Sequence, residues 1–406
     1  MQDIVQSVLQ KMGHVSKPQL KVWTILLTTI LVVYGKVNFT NLSRYSPLNE
    51  KTYRRFFAKA FNFCRFNQVL VQLYVPEAHP LLAIMDASFS AKSGKKTFGI
   101  DWFYRGCHGR TEQGLEVSLI AVLDVVTKDT YTLSAQQTYD QRQNPLLTRV
   151  DYALVQLEQA RNYMDKRVKY LAVDTAYAIE KFVTGARRCN LQVVSKLRKD
   201  ANLRYVYEGP QKARGAKRKY DGKVSFDDKV NFPARFTWLK ELDGPDKGIH
   251  LYSLVVWHVS LKRKIRLVYL SDLRNPAKPG YALLFSTDLE QDPEEILELY
   301  RLRFQIEFIF RDAKQFTGFS HCQARNQQAL DIHFNVSLMA LNIAVARQRS
   351  QMENNEPMIL SMASIKHQAF NDYLLDLFID KLGLAQTLIK FHPNFQELRN
   401  IGKISA

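Results

Sequence analysis

The sequence predicts an α/β fold with a mixed β-sheet, preceded and followed by helical regions. Apolar residues recur at helical spacing up to about residue 75, and again from Asp292-Pro293 to the end of the chain. Between these regions, short apolar runs of strand length alternate with helical segments and turns. Strands that alternate with helices favour an α/β core.

The N-terminal helices are predicted at residues 19–34 and 41–45 and after the start signal Ser46-Pro47-Leu48-Asn49. Proline suits the first turn of a helix and Asn49 suits its cap, so a helix is expected over 50–63. Basic and aromatic residues are interleaved along it, the basic ones being Lys51, Arg54, Arg55 and Lys59. This pattern fits a helix that packs on one side and contacts phosphates on the other, and equally a solvated basic face.

The predicted core begins with a meander of three strands, at 81–85, 115–126 and 130–135. A helix at 144–166, a buried strand at 170–173 and a helix at 176–184 follow. We interpret residues 196–290 as a β-rich insertion, because strand-like runs recur there at 236–242, 250–258 and 265–270. Helices are expected near 294–316, 325–350 and 357–384.

The chain has 57 basic and 39 acidic residues among 406, a formal net charge of +18. Such an excess favours a polyanionic partner such as nucleic acid, with a membrane surface as the alternative. The longest apolar run, 23–34, contains three threonines and is shorter than the roughly 20 residues of a membrane-spanning helix, so a buried helix is expected. The N-terminus lacks a secretory pattern, and the four cysteines form no C-x-x-C pair. These features predict a cytoplasmic protein with reduced thiols and no membrane contact.

The segment 196–223 has ten basic and three acidic side chains, with Gly209-Pro210 and Gly215 inside it. Such a loop is suited to follow a nucleic-acid backbone, with an affinity that falls steeply as salt rises. A loop that is merely solvated is the alternative.

Two aspartates follow predicted buried strands. Asp86 comes directly after 81–85, and Asp174 comes directly after 170–173. Strand ends are where α/β sheets bind ligands, although an aspartate there is also a common turn former or helix cap.

A third acidic residue, Glu307, lies in a segment whose polar side chains share one helical face. At 3.6 residues per turn, that face spans about 80° and carries Tyr300, Arg303, Glu307, Arg311 and Lys314. The other positions are largely apolar, so a substantially buried helix is expected. An ion-pair ladder at i,i+4 spacing is the alternative role of the charges.

Together, these three carboxylates suit two divalent metal ions. Hard cations take oxygen ligands, and two of them roughly 3.5–4 Å apart stabilise the attacking and leaving oxygens in phosphodiester displacement. The hypothesis is a site for Mg²⁺ or Mn²⁺ formed by Asp86, Asp174 and Glu307. Basic side chains would clamp a DNA backbone beside it, and a tyrosine would bind a phosphate or stack on a base. The candidate DNA contacts are Tyr300, Arg303, Arg311 and Lys314.

The stretch around Glu307 resembles a motif of insertion-sequence transposases of the DDE type. Its spacing, Y-x2-R-x3-E-x6-K, is found around the catalytic glutamate of one branch of these enzymes and is complete here. Stretches at 84–88, 172–174, 196–203 and 285–288 look like the same branch, so the resemblance covers roughly residues 80–330. One departure is Thr175-Ala176, where many members have a basic residue and a glycine.

The resemblance implies a ribonuclease-H-like core with a β-rich insertion between Asp174 and Glu307. It implies a metal-dependent transposase that cuts the inverted-repeat ends of its element and joins the freed 3′ ends to target DNA as a synaptic homodimer. Some related enzymes flip a base onto an aromatic residue of the insertion. Trp238 and Trp257 are candidates, with core packing as the favoured role for both. A metal-dependent nuclease without strand transfer and an inactive DNA-binding derivative are the alternatives.

The predicted organisation has five parts. Residues 1–75 form a helical DNA-binding domain, and 76–195 form the first part of the catalytic core. Residues 196–290 form the insertion, 291–350 the core helices that carry Glu307, and 351–406 a helical C-terminal region.

Overall fold

Twelve strands among the described residues of the computed structural model form one mixed sheet. The described residues are 1–406 without 95, 140–144, 227–234, 276, 353–359 and 404–406, and without the side chain of Cys107. In chain order the strands are β1 (Leu81–Ala91), β2 (Asp101–Arg105), β3 (Arg110–Asp124), β4 (Thr130–Thr138), β5 (Val168–Val173), β6 (Gln192–Leu197), β7 (Leu203–Val206), β8 (Tyr220–Lys223), β9 (Thr237–Glu241), β10 (Ile249–His258), β11 (Arg263–Asp272) and β12 (Gly280–Ser286). The order across the sheet is β2-β3-β1-β5-β6-β12-β11-β10-β7-β8, with β4 beside β3 and β9 beside β10.

Helices precede, interrupt and follow these strands. They are α1 (Gln2–Met12), α2 (Lys17–Val32), α3 (Phe39–Arg44), α4 (Glu50–Phe56), α5 (Phe63–Tyr74), α6 (Arg149–Arg161), α7 (Glu180–Arg188), α8 (Pro293–Leu302), α9 (Gln305–Phe316), α10 (Gln327–Arg349), α11 (Met362–Lys381), α12 (Gln386–Lys390) and α13 (Pro393–Arg399). The prediction of an α/β protein with helical ends is confirmed.

The predicted meander is confirmed, because β1 is antiparallel to β3 and β3 is antiparallel to β4. On its other side β1 runs parallel to β5, and β5 runs parallel to β6. The strands of the segment 196–290 do not form a sheet of their own. Since β12 pairs with β6, they extend the same sheet. The strand β2 was not predicted from the sequence.

Local signals explain most helix starts. Asn49 caps α4 by accepting a hydrogen bond from the Thr52 backbone N–H at 2.9 Å, as predicted. The helix expected over 50–63 nevertheless ends at Phe56, because Asn62 caps a new helix, α5, through the Arg65 N–H. Similarly, the helix expected over 176–184 starts only at Glu180, after a 3-10 turn.

Buried helices complete the core. The apolar run at 23–34 lies in α2, where Trp23, Leu26 and Leu31 are buried as predicted. Among the helices in the described part of the chain, α10 alone has the length and hydropathy of a membrane span, and 89% of that apolar window is buried inside the fold.

Buried asparagines join α10 to β4. The Asn342 amide donates to the Thr132 carbonyl at 2.9 Å and accepts from the Thr132 N–H at 2.8 Å. It also donates to Asn67 of α5, which in turn donates to the Leu133 carbonyl. Because no other strand pairs with Thr132 on that side in the described part of the sheet, these bonds satisfy backbone groups that burial would otherwise leave without partners.

Replacing Asn342 by alanine is expected to destabilise the fold by about 2–5 kcal/mol, because two buried backbone groups lose their partners. The measurement is the denaturant midpoint of the purified variant. Gln351→Ala, at an exposed position just beyond α10, is the control and is expected to unfold like the wild type. Equal midpoints for both variants would contradict the structural role of Asn342.

Candidate active site

The register between β1 and β5 places two aspartates side by side. The last paired residues of these parallel strands are Met85 and Val173, and Asp86 and Asp174 are the next residues on each. β5 ends there as predicted. β1 does not: it continues to Ala91 along β3, so the prediction that the strand ends before Asp86 was wrong. Pairing with β3 on its other side is sufficient to keep β1 extended.

The segment that carries Glu307 is two helices rather than one. α8 ends at Leu302 and α9 begins at Gln305, so the continuous helix predicted near 294–316 was wrong. Across the junction, the backbone N–H groups of Phe304, Ile306 and Glu307 donate to carbonyls only three residues back, at 3.0–3.2 Å. This tighter geometry has about three residues per turn and changes the direction of the side chains that follow.

Arg303 lies between two of the acidic residues. Its guanidinium nitrogens are 3.5 Å from an Asp86 carboxylate oxygen and 3.5 Å from a Glu307 carboxylate oxygen. The guanidinium also lies 5.6 Å from the centre of the Tyr300 ring. Only 11% of the Arg303 side chain is exposed, so its charge acts mainly on the site itself.

The pKa of Asp86 is influenced by burial and by the charges around it. The pKa is raised to about 6, mainly by burial and in smaller part by the negative charges of Asp174 and Glu307. The Ala87 N–H and Arg303 act in the opposite direction. The pKa of Tyr300 is also raised, mainly by burial and in part by Asp174. The structure therefore brings together Asp86, Asp174, Glu307, Tyr300 and Arg303.

Of the two remaining candidates, one lies beside this group. The Lys314 ammonium donates to the Ser88 hydroxyl at 2.7 Å and so lies along β1, two residues from Asp86. Arg311 instead pairs with Asp312 at 2.8 Å and lies over the Phe308 ring at 4.8 Å. The junction between α8 and α9 separates Tyr300, on α8, from Glu307, Arg311 and Lys314, which all lie on α9.

The end of α9 is held by a half-buried lysine. Lys366 of α11 donates to the Phe316 carbonyl at 2.9 Å and to the Val33 carbonyl, just beyond α2, at 2.8 Å. Burial lowers the pKa of Lys366 to about 8. The N-terminal helices, α11 and the helix with Glu307 therefore meet at one point.

A family comparison gives the site its context. Residues 131–343, more than half of the chain, match the model of the transposase DDE domain. The chain belongs to this transposase family. The matched range includes Asp174 and Glu307 and begins after Asp86. No curated protein matches the chain. The mixed α/β fold is compatible with the ribonuclease-H-like core expected of a DDE transposase.

Transposases of this family act on DNA and generally use divalent metal ions. In the described part of this transposase, no three His, Cys, Asp or Glu side chains stand close enough to hold a metal ion. Arg303 lies where it bridges Asp86 and Glu307. The donor set nevertheless fits such an ion, since it consists of hard carboxylate oxygens; burial, and in smaller part the charges of Asp174 and Glu307, raise the pKa of Asp86.

The structure adds residues that the sequence did not single out. Tyr177 ends the 3-10 turn that Asp174 begins, and its pKa is raised first by burial and then by Asp86. The position of Tyr177 three residues after Asp174 was visible in the sequence, but the sequence assigned no role to this tyrosine. Near Glu307, Phe304 and Phe308 are 47% and 38% exposed, so the expectation of a substantially buried helix was wrong on that face.

The two insertion tryptophans differ. Trp238 is 56% exposed on β9, so core packing was the wrong role for it. Trp257 on β10 is half-buried, with the Lys219 ammonium 5.5 Å from its ring centre. β9 pairs only with β10 among the described strands, which leaves the other edge of β9 without a neighbouring strand.

In metal-free buffer, Asp86→Asn is expected to stabilise the transposase at pH 8 by about 1–3 kcal/mol. Below pH 4 the carboxyl is protonated in both the folded and unfolded states. Between pH 4 and 6 only the unfolded state loses its proton, so stability falls as pH rises and the full cost is present above about pH 6. The asparagine variant has no such cost, so its advantage should vanish near pH 4.

The measurement is the thermal midpoint of both proteins from pH 4 to pH 8 with a chelator present. Asp165→Asn is the matched control with the opposite sign, because Arg167 lowers the pKa of Asp165 by hydrogen bonding. That variant should lose stability at pH 8. An Asp86→Asn variant that is less stable than the wild type at pH 8 would disprove the buried-charge explanation.

Proposed function

We propose that this transposase cleaves DNA at the ends of its element and joins the freed 3′ ends to target DNA. The observation that carries the proposal is that Asp86 and Asp174 follow the last paired residues of β1 and β5, while Arg303 bridges Asp86 and Glu307. A site that concentrates negative charge has no evident use in a protein that only binds DNA, because carboxylates repel phosphates. The inactive derivative is therefore the weaker candidate.

In this proposal the three carboxylates hold Mg²⁺ or Mn²⁺, most simply as two ions. Such ions supply an activated oxygen nucleophile and stabilise charge on the leaving oxygen. Arg303 then exchanges its carboxylate partners for a DNA phosphate, to which its planar guanidinium can donate two hydrogen bonds. Lys314 contributes a point charge on the same side of β1.

The motif supports membership of the Y-x2-R-x3-E-x6-K branch. Tyr300, Arg303 and Glu307 are grouped around Asp86, and Lys314 contacts the same strand. Tyr300 is half-buried and placed to bind a phosphate or a base beside Arg303. Arg311 is proposed as a further DNA contact, since it is exposed, although it pairs with Asp312.

Charge supports double-stranded DNA as the partner, at both the inverted repeats and the target. The basic residues of α4 are exposed, whereas Tyr53 and Phe57 are buried, so this helix packs on one side as proposed for a DNA-binding N-terminal domain. In the segment 207–219 the side chains of Lys212, Arg214 and Lys217 are exposed.

We further propose a nucleoid-associated homodimer as the active form, because two element ends must be held together.

The cleavage test uses a supercoiled plasmid with the element's ends, Mg²⁺ or Mn²⁺, and three variants. Wild type should cleave, and a chelator should abolish cleavage. Asp86→Ala and Glu307→Gln should bind DNA without detectable cleavage, because each loses a metal ligand. Glu298→Gln, an exposed carboxylate on α8, is the control and should cleave like the wild type. Equal cleavage by all variants would refute the proposed site.

Strand transfer needs a separate readout. Products in which the freed 3′ ends are joined to a second, unlinked plasmid are expected for the wild type. Cleaved ends without joined products would identify a nuclease instead of a transposase.

The basic segment predicts a change in salt dependence. Replacing Lys212, Arg214 and Lys217 by glutamine should reduce the slope of log affinity against log salt by about 0.9 for each phosphate that these side chains neutralise in the wild type. The measurement is duplex binding between low and moderate salt. A control with the exposed lysines Lys166, Lys381 and Lys403 replaced should keep the slope. Identical slopes for both triple variants would indicate that the segment is a solvated loop that does not contact DNA.

A further inference from the structure

A two-stranded ribbon extends the sheet beyond the end of β1. Gly114 of β3 pairs with Ala91, the last residue of β1, on one side and with Asp101 of β2 on the other. From that point, β2 pairs with β3 alone, out to the pair Arg105 and Arg110. Residues 101–105 and 110–113 therefore form a ribbon without a flanking strand in the described part of the sheet.

The register shows which face of the ribbon continues the active site. Residues directly opposite each other in antiparallel strands point to the same face. Asp86 pairs with Leu119 and Ser88 pairs with Val117, so alternate residues of β3 down to Gln113 lie on the face of Asp86. Gln113 pairs with Trp102. That face of the ribbon carries Trp102, Tyr104, Thr111 and Gln113.

This face is exposed, and the opposite face is packed. Trp102 and Tyr104 are 55% and 59% exposed, and Thr111 and Gln113 are exposed as well. On the other face, Phe103 is only 3% exposed, with the Arg149 guanidinium 6.0 Å from its ring centre. Large aromatic rings are thus exposed to solvent on the face of the sheet that also carries Asp86.

The base of the ribbon is held firmly in place. A Cβ atom at Gly114 would lie 2.5 Å from the Phe89 ring and 2.5 Å from the Ser90 carbonyl oxygen, so only glycine fits there. The Arg105 guanidinium lies 5.7 Å from the centre of the same Phe89 ring. At the tip, Glu112 binds Arg105, His108 and Arg110. These contacts present the exposed face in one orientation.

The distance to the active site matches a short stretch of duplex. Ala91 is five residues beyond Asp86, or about 17 Å at 3.4 Å per residue, and Trp102 is one pair further. About 20 Å corresponds to roughly six base pairs at 3.4 Å each. A duplex whose phosphate lies at Asp86 and whose axis runs in the direction of β1 would reach the ribbon.

We infer that this ribbon face enters the major groove of duplex DNA about six base pairs from the cleaved phosphate and reads base identity there. The inference rests on the proposed function. The major groove, about 12 Å wide, accepts a two-stranded β-ribbon. Glutamine pairs with adenine through two hydrogen bonds, while threonine and aromatic groups contact the thymine methyl. Residues 92–113 have five basic and two acidic side chains, an excess that suits a polyanion such as DNA.

The test is a binding selection on 40-base-pair duplexes of random sequence, with a chelator present so that no DNA is cut. Wild type should enrich particular bases at several positions. Gln113→Ala and Trp102→Ala should each reduce the preference at one or two adjacent positions by at least about fivefold and leave the other positions unchanged. Phe378→Ala, an aromatic residue of equal exposure on α11, is the control and should retain all preferences.

Several outcomes would overturn the inference. The first two are a wild-type pool without base preference and variants with unchanged preferences. The other two are variants that lose binding only to DNA with unpaired bases, and ribbon variants that differ from the wild type in oligomeric state. Melting curves of the variants should match the wild type, since both side chains are exposed. Metal-dependent plasmid cleavage by the wild type is measured in parallel. Cleavage without ribbon-dependent preference would reject only the ribbon, whereas absence of cleavage would reject the proposed function.

Discussion

The parallel register between β1 and β5 is the constraint on which the site depends. Because pairing ends at Met85 and Val173, the next residues, Asp86 and Asp174, are neighbours on adjacent strands. Burial is the main reason that the pKa of Asp86 is raised, and repulsion from the neighbouring carboxylates adds to the cost. The fold tolerates this cost at the ends of strand segments whose apolar residues are among the most buried in the protein.

Arg303 offsets part of that repulsion. Its guanidinium contacts Asp86 and Glu307 at distances at the limit of a hydrogen bond, so each interaction is weak and readily exchanged. A strong bidentate pair would have held the arginine to one acid. The observed arrangement suits a side chain whose partner changes when a phosphate or a cation arrives. The tight junction between α8 and α9 places Arg303 there, since it lies between the two helices.

The position of Glu307 is decided by contacts at the two ends of α9. The junction with α8 lies at one end, and Lys366 binds the Phe316 carbonyl at the other. Lys314 fixes the rotation of the helix against Ser88 of β1. Since Lys366 also binds the Val33 carbonyl, the N-terminal helices are linked to the helix that carries the glutamate.

The sequence by itself determined the alternation of strands and helices, the Asn49 cap and the three acidic residues. These features depend on local periodicity, on capping chemistry and on a motif with fixed spacing, all of which are readable along the chain. Tertiary structure decided what depends on distant partners. Pairing with β3 carries β1 past Asp86, and three-residue hydrogen bonds break the predicted helix at Arg303. The exposure of Trp238 and of the β2 ribbon follows from strands that have neighbours on one side only, which no local pattern reveals.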